Sequence, residues 1–154
     1  MAKKQQNEHM KKLFFVLVFL LIIITSFTQS LSKVEQQIVK NIDADMVTTL
    51  ALLKESVNIN SGTFNKDGIK KTGELYGKEL ESLGFTVECI LMPDSIQRAG
   101  HLAAYRKGKK GKKLFLIGHL DTVFEPDMPP NPFTLLNDST ATGQGVVDMK
   151  GGDV

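Results

Sequence analysis

Cysteine is almost missing: Cys89 stands alone, so no disulfide framework exists within the chain, and one thiol does not report a redox compartment. No repeat and no long low-complexity tract interrupts the 154 residues, and 42% hydrophobic with 23% charged residues is the composition of a globular protein. A strong charge of one sign is also lacking. Residues 1–30 hold Lys3, Lys4, Lys11 and Lys12 against Glu8, and the remainder carries 15 basic and 16 acidic residues. A body so near neutrality gives no electrostatic reason to expect nucleic acid as a partner. Phosphate-cradling loops are incomplete: Gly143-x-Gly145-x-x-Asp148 lacks a third glycine, and Gly108-Lys-Lys-Gly111-Lys-Lys lacks Walker spacing and its Ser/Thr. The longest apolar run, Leu13 to Ile24, falls short of the roughly 20 residues that span a bilayer.

That run does have the order of a secretory signal. Lys11-Lys12 form a basic head, the apolar core follows, and Thr25 to Ser30 supply small residues for cleavage. Residues 1–30 are therefore predicted to direct export, to the periplasm or outside. The alternative is an uncleaved membrane anchor over residues 13–27, because no Ala-x-Ala is present. No cysteine follows the run, which excludes bacterial lipid attachment there.

Beyond it, Val34, Ile38, Ile42, Met46, Leu50, Leu53 and Val57 recur at helical spacing, predicting an amphipathic helix from about Ser32 to Val57. A turn region, Asn58 to Gly68, leads to a second helix capped by Asn65 or Asp67, burying Ile69, Tyr76, Leu80 and Leu83 and ending at Gly84. Phe85, Val87, Cys89 and Leu91 alternate as a strand closed by Pro93, with Cys89 in the inward phase. His101 to Arg106 reads as a short strand, with His101 at the surface or in a turn. Lys107 to Lys113 reads as a solvated turn, Leu114 to Gly118 as a buried strand, and Glu125 to Pro132 as a proline-rich loop. Helices followed by strands predict an α/β domain.

Chemistry concentrates after the buried strand. His119 and Asp121 close it, where ligand sites in α/β sheets collect, and their i, i+2 spacing puts both on one side of extended backbone. A metal-binding imidazole needs its second nitrogen held, and a carboxylate does this. An isolated His-x-Asp also suits a purely structural hydrogen bond. Asp148 lies in a glycine-dense loop, Gly143 to Gly152, and a carboxylate can bridge two cations about 3.5–4 Å apart. Asn137-Asp138-Ser139 is a formal glycosylation acceptor, relevant only in a eukaryotic secretory route.

Ile117-Gly-His-Leu-Asp-Thr-Val123 and Gly143-Gln-Gly-Val-Val-Asp-Met-Lys-Gly-Gly152 resemble two signatures of the di-zinc family of glutamate carboxypeptidase, acetylornithine deacetylase, succinyl-diaminopimelate desuccinylase and aminoacylase. Leu53 to Thr63 and Glu79 to Val87 resemble an earlier region of that family, so the likeness spans about residues 35–154. It implies a zinc-exopeptidase-like catalytic domain, a mixed sheet flanked by helices. His119 would bind one of two zinc ions, Asp148 would bridge both, and Asp121 would be the catalytic-site carboxylate supporting His119. It also implies a cis Asp148–Met149 peptide. The substrate would be a small peptide or an N-acyl amino acid, cut at an amide next to a free carboxylate. Family members add a Glu-Glu pair, further ligands and a lid domain with dimer contacts. Residues 31–154 are thus expected to be the N-terminal part of the domain, inactive alone, with homodimerisation through the lid. Competing expectations are a deacylase of the same family, a non-catalytic remnant, and a membrane-tethered module.

Overall fold

The computed structural model describes residues 9–18 and 30–154. Residues 9–18 are helical; residues 1–8 and 19–29 of the expected leader lie outside the described residues. Among the described residues no helix is long and apolar enough to cross a membrane. The chain divides into two compact units, Met1–Asp43 and Ala44–Val154.

Helix α1, Lys33–Asn58, is set by a capping box at its start. Ser32 N donates to Glu35 Oε2 at 2.7 Å, and Ser32 Oγ accepts from Glu35 N at 3.3 Å, satisfying two donors that a helix start leaves free. The anticipated apolar stripe is there, but only its last part is covered. Val57 is 3% exposed, whereas Val34, Ile38, Ile42 and Met46 face solvent. Helix α2, Lys66–Ser82, begins at Asn65, whose side chain accepts from Gly68 N at 3.1 Å. It buries Ile69 and Tyr76 as anticipated, but Leu83 is exposed. Its end is a Schellman motif: Gly84 N reaches Glu81 O and Phe85 N reaches Leu80 O, with Gly84 at φ +80, a conformation that suits glycine because it carries no Cβ.

Strands β1, Thr86–Ile90, and β2, His101–Tyr105, form an antiparallel ribbon in register Thr86↔Tyr105 to Ile90↔His101. Gly77 of α2 lets the ribbon approach, with Val87 and Leu102 beside it. Cys89, expected inside, is exposed, because one helix does not cover the whole of a two-stranded ribbon. A second ribbon pairs β3, Thr134–Asn137, with β4, Thr140–Thr142. Its turn is held by Asn137 Oδ1, which accepts from Ser139 N and Oγ. No hairpin was legible here, since the strands are short and carry few alternating apolar positions.

Leu114 to Gly118 corrects the sequence reading most sharply. The segment forms no strand, and Leu114, Phe115, Leu116 and Ile117 are each at least 80% exposed. An all-apolar strand is stable only with neighbours on both faces and edges. Among the described residues none pairs with it, so the expected mixed sheet is replaced by helices and two small antiparallel ribbons.

Candidate metal centre

His119 and Asp121 are therefore not held by the strand before them. They are held by the residue after. Thr122 N donates to Ser61 O at 2.8 Å, and Thr63 N donates to Thr122 O at 3.0 Å, an isolated parallel bridge across Gly62 and Thr122. Thr122 and Ser61 are both buried. Thr63 Oγ1 then donates to Asp121 Oδ2 at 2.6 Å. Asp121 Oδ1 and Asp121 O lie 3.2 and 3.0 Å from His119 Nδ1. Both of these atoms accept and cannot donate while the carboxylate is ionised, so Nδ1 carries the proton. The neutral imidazole is left with its lone pair on Nε2.

That nitrogen faces Asp148, with Nε2 to Oδ1 at 3.4 Å. Asp148 sits in the irregular turn Val146–Lys150, where its backbone alone departs from helical values (φ −116, ψ 98). Gly145 opens the turn at φ +80, and a Cβ there would meet Thr122 Cγ2 at 2.7 Å. The turn and the Thr122 bridge thus pack as one piece. The Asp148–Met149 peptide is cis, as the resemblance implies. Side-chain exposure is 52% for His119 and 80% for Asp148, so both are open to a ligand.

Electrostatics follow this chain of contacts. Burial by itself disfavours a charged His119, but hydrogen bonds to Asp121 and, once Nε2 is protonated, to Asp148 outweigh it and hold the imidazole above its ordinary pKa. Burial pushes the Asp121 carboxyl up, yet the Thr63 hydroxyl and His119 reverse this and leave it below the usual value. Asp153 is raised by burial, partly offset by His119. A cleft of about 850 Å³ has His119, Asp121, Asp153, Tyr76, Arg98 and His101 on its walls.

The donors fit zinc as a pair. Two ligands bound at about 2.1 Å with tetrahedral angles stand about 3.4 Å apart. One is an imidazole nitrogen whose opposite nitrogen rests on a carboxylate, the support that metal-binding histidines use. They do not complete a site: among the described residues no group of three or more His, Cys, Asp or Glu side chains is arranged to hold a metal ion.

Two residues in this assembly escaped the sequence reading. Thr63 is the last residue of the Leu53 to Thr63 stretch, and Lys150 follows Asp148 by two. Lys150 is 1% exposed and donates from Nζ to Ser56 O at 2.6 Å and Ile59 O at 2.7 Å; burial lowers its pKa to about 8. The available signal was its place between Asp148 and two glycines.

Residues of the chain are 35% identical to carboxypeptidase G2 of Pseudomonas sp. (strain RS-16) over 102 residues, 66% of this chain and 24% of that protein. They are 34% identical to succinyl-diaminopimelate desuccinylase of Magnetococcus marinus over 113 residues, 70% of this chain and 27% of that one. The chain is related to the metallopeptidase and amidohydrolase family. It spans about a quarter of the length of these two family members. No protein-family profile matches it.

Proposed function

We propose that the protein to which these residues belong is a zinc-dependent hydrolase of amide bonds adjacent to a free carboxylate, of the carboxypeptidase kind. One observation carries this reading: a single imidazole has one nitrogen on a carboxylate and the other facing a second, exposed carboxylate. His119 Nε2 and the Asp148 carboxylate would hold zinc, and the Asp148 side chain, 80% exposed, would be open to a second ion. Zinc held there would supply Lewis acidity and an activated water for amide hydrolysis. Asp121 keeps the His119 proton on Nδ1, so that Nε2 remains a donor, and Thr63 keeps Asp121 ionised and in place. The cleft beside His119 offers Arg98 on one wall, a cation of the kind that would pair with a substrate carboxylate.

The desuccinylase similarity favours a second reading within the same chemistry, an N-acyl-amino-acid deacylase. Residues 1–154 by themselves are proposed to be inactive, because catalytic zinc takes three protein ligands plus water and two donors come together among the described residues. Export through residues 1–30 remains part of the proposal, on the basic head and apolar core.

The test is hydrolysis of acyl-glutamate and N-acyl-amino-acid amides by the native protein carrying these residues, beside the 154-residue chain. Activity in the native protein should vanish on chelation, return with zinc and be lost in His119→Ala. The preferred amide separates the two readings. Turnover that survives both chelation and His119→Ala overturns the proposal.

A further inference from the structure

Lys150 has no part in the chemistry just described, yet it is the most deeply buried charge among the described residues. No carboxylate lies within ion-pair distance of it there. Its partners are two backbone carbonyls, Ser56 O in the last turn of α1 and Ile59 O just beyond. Burying an ammonium without a counter-ion is costly, and hydrogen bonds to two carbonyls offset that cost only in part. Stability is therefore a poor explanation for a lysine here.

Connectivity offers a better one. From Ile59 the backbone runs to Ser61 and Thr63, which hold Thr122 and Asp121. Asp121 holds His119, His119 faces Asp148, and Asp148 precedes Lys150 by two residues. Lys150 closes the ring by tying the Asp148 turn to the same segment that carries Thr63. Its backbone N also donates to Gly145 O at 3.0 Å, which closes the turn on itself. Without the ammonium, the remaining backbone ties of the turn are short-range ones and Gln144 N to Asn131 O.

We infer that Lys150 is a positioning residue: its buried ammonium, fastened to the Ser56 and Ile59 carbonyls, sets where Asp148 stands relative to His119. The significance for metal binding rests on the reading of His119 and Asp148 as ligands, but the placement is measurable without metal.

The experiment compares the full chain with Lys150→Met, Lys150→Gln and Ile69→Ala, the last a destabilising change in the α2 core. In metal-free protein, NMR contacts between the His119 ring and the Asp148 side chain should be present in the parent and in Ile69→Ala. They should be lost in Lys150→Met and weakened in Lys150→Gln, which keeps one donor group. Calorimetric titration with zinc alone should then show a 10- to 100-fold weaker dissociation constant for Lys150→Met, the size seen when outer-shell partners of a metal site are removed, and little change for Ile69→Ala. Unchanged His119–Asp148 contacts in Lys150→Met overturn the inference. So does unfolding of both lysine variants, which makes Lys150 a purely structural residue. A parent chain that shows the contacts but takes up no zinc overturns the metal reading and leaves the placement by Lys150 standing.

Discussion

Two regions invert the usual rule of inside and outside. Leu114 to Ile117 is wholly apolar and stands in solvent, while Lys150 is charged and buried. The difference lies in backbone partners. Among the described residues the apolar segment has no strand beside it, so hydrophobicity alone gives it nowhere to go. The lysine meets two carbonyls at the end of a helix, groups that need donors and that a long flexible stem can reach. Burial in this molecule is decided by which segments find a neighbour, and His119, Asp121 and Asp148 are held by the region that did.

The contrast is sharpened most strongly at Gly145. A side chain there would need φ +80 and would meet Thr122 Cγ2, so Gly145→Val should destabilise the unit by about 1–3 kcal/mol in chemical denaturation. A loss below about 0.5 kcal/mol would show that the turn and the Thr122 bridge do not pack as one piece.

Thr63 comes next. Thr63→Val removes the hydroxyl that fixes Asp121 and, on the proposed zinc reading, should weaken zinc binding about tenfold, while Thr63→Ser should restore it. Equal zinc affinity in both variants would mean that Asp121 needs no such support. Smaller still is Leu116→Ser: with this side chain in solvent, denaturation should shift by no more than about 0.5 kcal/mol. A cost of about 2–5 kcal/mol would mean that the segment is packed after all.

The smallest effect lies far from the site. Hydrogen bonds from Ser32 hold the Glu35 carboxyl below its ordinary value, so it is ionised in the folded helix at a pH where an unfolded chain is protonated. Its contribution is present above pH 4.5, the ordinary value, and is lost as pH falls through the lowered one. Helicity of the first turn of α1, followed by amide exchange, should decline in that window, with a smaller step in Ser32→Ala, which loses the hydroxyl but keeps the backbone donor.

The sequence by itself determined the two long helices, the β1–β2 strands and the identity of the chemical groups. Helix α1 follows from an apolar period near 3.6, and α2 from the Asn65 cap and Gly84, because these signals act over a few residues. The period-two spacing of His119 and Asp121 placed the carboxylate beside the imidazole for the same local reason. Only tertiary structure decided what reaches across the chain. The same periodicity that marked α1 could not say that Val34 would stay exposed while Val57 was covered, and alternation could not bury Cys89. The hydrogen bond from Thr63 to Asp121 joins residues 58 apart, and that from Lys150 to Ser56 joins residues 94 apart. No local pattern encodes such distances, since they arise when two turns pack and leave particular carbonyls and carboxylates in need of a donor.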